Sequence, residues 1–86
     1  NLRPLGGGPF YAVKVVISDL GTCGGLRTDV RGRVLREDGS AIDGLYAIGN
    51  TAANAFGASY PGAGATIGQG LVFGYIAAQH AAGKLE

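Results

Sequence analysis

The stretch GASYPGAGATIGQG, residues 57–70, limits what this chain can become more than any other segment. It holds five glycines, one Tyr-Pro pair and no charged residue. Glycine loses more conformational freedom on folding than any other residue, so such a density stands only where the backbone needs it. Either the loop turns through conformations closed to other residues, or something approaches the main chain too closely for a Cβ. From Thr66 onward apolar residues recur at helical spacing without a further proline, so the loop opens directly into a helix.

The chain carries 17 glycines in 86 residues without a collagen-like period. At this length one small domain is possible, near the lower limit for a self-sufficient core. It begins at Asn1 and ends in Leu85-Glu86, a pair often left by a cloning site, which reads as a piece cut from a longer protein. A net charge of +1 predicts neither nucleic-acid binding nor a basic membrane patch. The single Cys23 excludes an internal disulfide framework and fits a reducing cytoplasm. No cluster of metal-ligating residues stands out. Residues 64–83 lack formal charge, and Gly70 and Gly74 form a G-x-x-x-G pair that can mark helix pairing in lipid. Gln69, Gln79 and His80 interrupt the run, Pro61 precedes it and no basic flank orients it, so a buried helix is expected instead.

Residues 1–9 are turn material, with Pro4, Pro9 and three consecutive glycines. FYAVKVVIS, residues 10–18, is β-branched and aromatic and reads as a strand buried on both faces. LRTDV and RVLRE predict two short strands joined near Gly32, followed by a turn at Asp38-Gly39. LYAIGN, residues 45–50, predicts a buried strand halted by Gly49-Asn50. A helix is expected from Thr66 to Ala82, with Gly83 as its stop. Ile67, Leu71, Val72, Tyr75, Ile76 and Ala78 mark its expected packed side. The class is α/β, the C-terminal part of a nucleotide-binding domain. Residues 1–18 would be a connecting segment and a strand returning from a substrate domain, and residues 19–86 the terminal portion of the nucleotide-binding domain.

The first amides of a helix lack intrahelical partners, and the aligned peptide dipoles place partial positive charge there. The main-chain amides at Ala65, Thr66 and Ile67 could therefore face phosphate or an electron-rich ring. Gly62, Gly64 and Gly68 remove the Cβ atoms that would hold a flat ligand away. Gly49-Asn50 offers a second close approach at the carboxyl end of a strand, where α/β sheets bind ligands. The same glycines could equally serve tight turns and helix packing alone.

GGLRTDVRGRVLREDGSAIDGLYAIGN followed by YPGAGATIGQGLVFGYIAAQHAA resembles the C-terminal segment of the flavoprotein family that unites fumarate reductases and 3-ketosteroid dehydrogenases. GLYAIGN marks the broad FAD family; YPGAGATIG resembles the 3-ketosteroid Δ1-dehydrogenase branch. The resemblance implies a Rossmann-like FAD-binding domain with a small β-hairpin insertion and one long C-terminal helix. It also implies FAD as cofactor, a 3-oxosteroid as substrate, and removal of hydrogens from C1 and C2 of ring A. Flavin N5 accepts the hydride, and the C2 base is a tyrosine earlier in such chains. In that branch the motif's tyrosine and its second glycine after the proline bind the C3 carbonyl oxygen. Here they are Tyr60, through its hydroxyl, and Gly64, through its N–H. Deprotonation at C2 leaves charge on that oxygen, so two fixed donors act as an oxyanion hole. The cofactor contacts implied are Gly49, Asn50, Ala65, Thr66 and Ile67.

A fumarate reductase or succinate dehydrogenase-like flavoprotein is the nearest rival. That branch usually carries a histidine before T-x-G-G and an arginine at the tyrosine's place, whereas here stand Gly21 and Tyr60, leaving a diacid no cation to meet. A ketosteroid dehydrogenase acting at another ring bond should differ around YPGAG. The chain has no G-x-G-x-x-G pyrophosphate turn, so alone it is expected to be an inactive structural fragment needing the remainder of its parent chain. Tyr11, Tyr46 and Tyr75 are expected in packing roles, and Cys23 likewise. His80, late in the helix, is expected at the surface or near the helix cap. The charges from Arg27 to Asp38 are expected to form a solvated face.

Overall fold

The computed structural model describes residues 2–85. Its order is β1 (Arg33–Leu35), β2 (Ala41–Tyr46), a 3₁₀ turn (Gly49–Thr51) and α1 (Ala65–Ala81). β1 and β2 form an antiparallel pair, with Arg33 opposite Tyr46 and Leu35 opposite Ala41. The register slips between those two pairs, so β2 bulges. The expected turn at Asp38-Gly39 joins them. The Gly39 N–H donates to the Arg36 carbonyl at 3.0 Å, and Asp38 Oδ1 accepts from the Ser40 N–H at 2.8 Å.

A sharper turn precedes β1. Asp29 Oδ1 accepts the N–H groups of Arg31 and Arg33 at 2.9 and 3.0 Å, and Oδ2 accepts Arg33 Nε at 2.7 Å. Asp29 is thus a half-buried organiser of the turn and not a member of a solvated charge face. Partial burial pushes its carboxyl pKa upward, but hydrogen bonds from Arg33 and Arg31, with the Arg33 charge, outweigh this and hold it below the ordinary range.

Three expected strands are corrected. Residues 10–18 form no strand and are exposed throughout. A strand's main-chain groups need a neighbour, and none pairs with them among the described residues. Leu26 and Thr28 make only isolated bridges, to Ala52 and Val34. The strand expected at 45–50 begins earlier, at Ala41, and ends at Tyr46, because Gly49 turns the chain into the 3₁₀ segment. The exposed N-terminal stretch gives a radius of gyration of 18.9 Å, against about 12 Å for a compact chain of this length.

Helix α1 lies within one residue of its expected bounds. It ends as expected at Gly83: the Gly83 N–H donates to His80 O at 2.9 Å and the Lys84 N–H to Gln79 O at 2.9 Å, the paired bonds of a Schellman motif. Its packed side is largely not the expected one. Of the expected residues only Ile76 is half-buried; Ile67, Leu71, Val72, Tyr75 and Ala78 are exposed, while Ala77 is buried and Gly70, Phe73 and Gly74 are half-buried. A Cβ on Gly70 would stand 3.9 Å from Gly49 Cα, and one on Gly74 only 3.1 Å from Ile48 Cδ1. The helix therefore seats its smallest side chains on the 3₁₀ turn, since backbone can approach backbone only there. The G-x-x-x-G pair serves this seat, and no helix among the described residues is long and apolar enough to cross a membrane.

The core is small: Val34, Ala47 and Ala52, with Ile42 against them. Tyr46 Oη lies 2.7 Å from His80 Nδ1, tying the end of β2 to the end of α1. Tyr46 therefore packs as expected, against His80, which lies in the last turn of α1 near its cap and also serves as the partner of a tie between the two elements. Tyr11 and Tyr75 are exposed, so neither packs within the described residues.

Candidate functional site

Gly64 caps the start of α1 in the left-handed region, at φ 88° and ψ −7°, with no side-chain hydrogen bond to the cap. Only a residue without a Cβ holds that conformation cheaply. The Ala65 N–H closes the preceding turn on the Gly62 carbonyl at 3.2 Å, and the Gly68 N–H bonds the Gly64 carbonyl at 2.7 Å. Ala65 is thus engaged within the loop, and the next amides, Thr66 and Ile67, are left without a side-chain cap. Beyond them the space is open: a Cβ built on Gly62, Gly64 or Gly68 meets nothing within 4 Å.

A cleft of about 130 Å³ opens at this helix start. Asn50, Tyr60, Ala65 and Thr66 line it, joined by Gly21, Thr22, Cys23, Asn54 and Gln69. No charged side chain lines it among the described residues. Tyr60 is half exposed and lines the cleft. Gly64 lies on an adjoining hollow that shares Ala65, Gln69 and Phe56 with the cleft. Gly49 lines a separate groove of about 300 Å³ beside Asp29, Asn54 and Phe73. Ile67 is exposed and lines none of the three. The fold therefore gathers four of the seven expected site residues around one opening and leaves Gly64 next to it.

The segment 20–23 was the part of the site that sequence reasoning missed. Thr22 Oγ1 donates to the Asn50 carbonyl at 2.8 Å, and Asn50 Nδ2 donates to the Leu20 carbonyl at 3.3 Å. Cys23, expected in packing, is exposed and sits on the cleft because its segment is held on one side only. The signal available was the break DLGTCGG itself, whose small residues suit a wall lying against another backbone. Gln69 Oε1 accepts the Ala55 N–H at 3.3 Å, fixing the loop that leads to Tyr60.

The FAD binding domain family matches residues 1–67. The 3-oxosteroid 1-dehydrogenase of Mycobacterium tuberculosis is 58% identical over 82 residues, covering 95% of this chain and 15% of that protein. The 4-oxocyclohexanecarboxylate 2-dehydrogenase of Sinomonas cyclohexanicum is 50% identical over 84 residues, covering 98% and 15%. A crystal structure of 3-ketosteroid delta1-dehydrogenase from Sterolibacterium denitrificans, in complex with 1,4-androstadiene-3,17-dione, superposes with a TM-score of 0.70. It is 52% identical and covers 73% of this chain and 11% of that one. The chain thus spans about 15% of the length of the curated relatives it matches.

Proposed function

Since the chain belongs to the FAD binding domain family, we propose that it is the C-terminal part of a cytoplasmic flavoenzyme that dehydrogenates 3-oxosteroids between C1 and C2. The observation that carries this reading is Tyr60 on an uncharged cleft at an uncapped helix start. A neutral ring ketone suits such a wall; a dicarboxylate would arrive without a cation to meet it. Ligand pockets usually measure about 300–1,000 Å³, so this cleft is the ketone end of a site whose other walls come from the rest of the protein.

The residues present fit a flavin. Open space over Gly62, Gly64 and Gly68 admits a flat group, and the amides of Thr66 and Ile67 carry partial positive charge toward it. When bound, FAD supplies the hydride acceptor. Gly49, in the 3₁₀ turn, would flank it through its main chain, next to a Rossmann-like sheet completed elsewhere in the protein. The chain's own task is at the ketone. Tyr60 Oη and the Gly64 N–H donate to the C3 oxygen, and both bonds strengthen as negative charge develops there.

Tyr60→Phe in the full-length enzyme tests this. It keeps the ring and removes one donor, so flavin content should hold while flavin reduction by a 3-oxosteroid falls roughly 10²–10³-fold, about 2.7–4 kcal/mol. Equal anaerobic single-turnover rates in the two proteins would make Tyr60 a packing residue. Reaction of both with fumarate instead of steroid would end the steroid reading.

A further inference from the structure

We infer that Asn50 is a positioning residue, clasping the segment Leu20–Thr22 as the third wall of the cleft that Tyr60 lines. The inference rests on the function proposed above. It adds to the main-chain approach to the cofactor expected of Gly49-Asn50 a separate task for the Asn50 side chain, which is engaged with Leu20. Two bonds run between the same two segments in opposite senses. The Asn50 side chain donates to the Leu20 carbonyl, and the Asn50 carbonyl accepts from the Thr22 hydroxyl. Gly21, between the two held residues, faces the site: a Cβ there would come within 3.0 Å of Asn50 Oδ1 and 3.2 Å of Thr66 Oγ1. The wall can close on the helix start only because that position is bare.

Little else fastens this wall. Leu20 is largely exposed, and the next main-chain bond onto the segment is from the Asn54 N–H to the Cys23 carbonyl at 3.2 Å. The clasp therefore sets the distance between residues 21–22 and the Tyr60 side of the cleft. Releasing it widens the ketone end, without touching the helix amides or the open glycine loop. A misplacement of about 1 Å at a reacting centre can cost about 10²-fold, and a loosened wall should first appear in how well substrate is held.

The experiment uses the full-length enzyme with Thr22→Val, which removes one bond at constant shape, and Asn50→Asp, which removes the other donor. Thermolysin nicking at the Asp19–Leu20 bond reports the wall with no substrate present. Steady-state kinetics on a 3-oxosteroid, with flavin content from the absorbance spectrum, report the site. The expected result is nicking at least about threefold faster in both variants, KM raised about tenfold, kcat changed less than KM, and FAD content retained. Loss of FAD with unchanged nicking would return Asn50 to the cofactor and overturn the inference. Unchanged nicking and KM in both variants would overturn it equally. If wild type and variants alike ignore steroid while nicking still accelerates, the clasp stands and the steroid reading fails.

Discussion

Gly25 and Gly64 both hold positive φ, 150° and 88°, yet they answer to different neighbours. A Cβ on Gly25 would stand 2.5 Å from the carbonyl carbon and oxygen of Ala52; one on Gly64 meets nothing within 4 Å. Gly25 belongs to a packed seam with Gly49, Gly70 and Gly74, where main chain presses on main chain or on Ile48. Gly64 belongs to an open loop with Gly62 and Gly68, where the bare backbone faces empty space. Glycine in the seam is explained by the fold. In the loop, the turn conformation explains Gly64, but Gly68 sits in ordinary helix and nothing in the chain requires it to be bare. Such a glycine points outward, to a ligand or to another part of the protein.

Substitutions can break this contrast, and the largest effect belongs to the loop. Gly64→Ala in the full-length enzyme should lower turnover on a 3-oxosteroid about 10²-fold, because the alanine relaxes away from the left-handed cap and carries the N–H off the ketone oxygen. Flavin content should change little. Normal single-turnover rates would reduce Gly64 to a turn residue.

In the seam, Gly25→Ala should act on stability. The methyl would overlap the Ala52 backbone, which cannot swing aside as a side-chain tip does, so a loss of about 1–3 kcal/mol is expected. Chemical denaturation should show it, together with loss of the Leu26–Ala52 bridge. An unchanged midpoint would mean the seam is looser than its distances imply.

Acid provides a third separation. The folded Asp29 carboxyl titrates below its unfolded range, so its contribution is complete above about pH 4 and is lost as pH falls through the folded value. Its ion pair with Arg33 is partly solvated, at 2.7 Å, so the effect should be about 1 kcal/mol. Asp29→Asn should flatten the acid limb of the stability profile. No carboxylate lies in residues 57–70, so the loop should contribute nothing there.

The smallest effect is the most discriminating. Gly68→Ala meets no neighbour and improves helix propensity, so it should raise stability by about 0.5–1 kcal/mol in the flavin-free protein. If the open space belongs to the flavin, the same variant should retain FAD less well. A stabilised protein with unchanged FAD retention would remove Gly68 from the cofactor site.

The legible and illegible parts of the chain divide by the reach of the forces that set them. The helix ends, the Asp38-Gly39 turn and the Gly83 stop were readable because each depends on bonds between residues a few positions apart. The Tyr60–Gly64 loop was readable as a motif, though only the folded chain puts Tyr60 on a cleft with Asn50 and Thr66. Residues 10–18 have a strand's composition, but composition supplies no partner to pair with. The charge run hid Asp29 because an Asx turn uses one carboxylate, whatever the signs around it.

The sequence by itself determined much of the local chain: the Asp38-Gly39 turn, helix α1 to within one residue at each end, and its stop at Gly83. Tertiary structure alone decided which side of α1 faces inward. Spacing favoured Ile67, Leu71, Val72 and Tyr75, the larger apolar stripe, yet these are exposed, and the chain instead sets Gly70 against Gly49, Gly74 against Ile48 and Ala77 against Gly32. Hydrophobicity measures what a side chain gains by leaving water, whereas close backbone contact is limited by its size. Only the fold reveals which limit governs a given face. It also decided that Asn50 turns its amide to Leu20 and draws residues 20–22 over the helix start, a contact across thirty positions that no local spacing encodes.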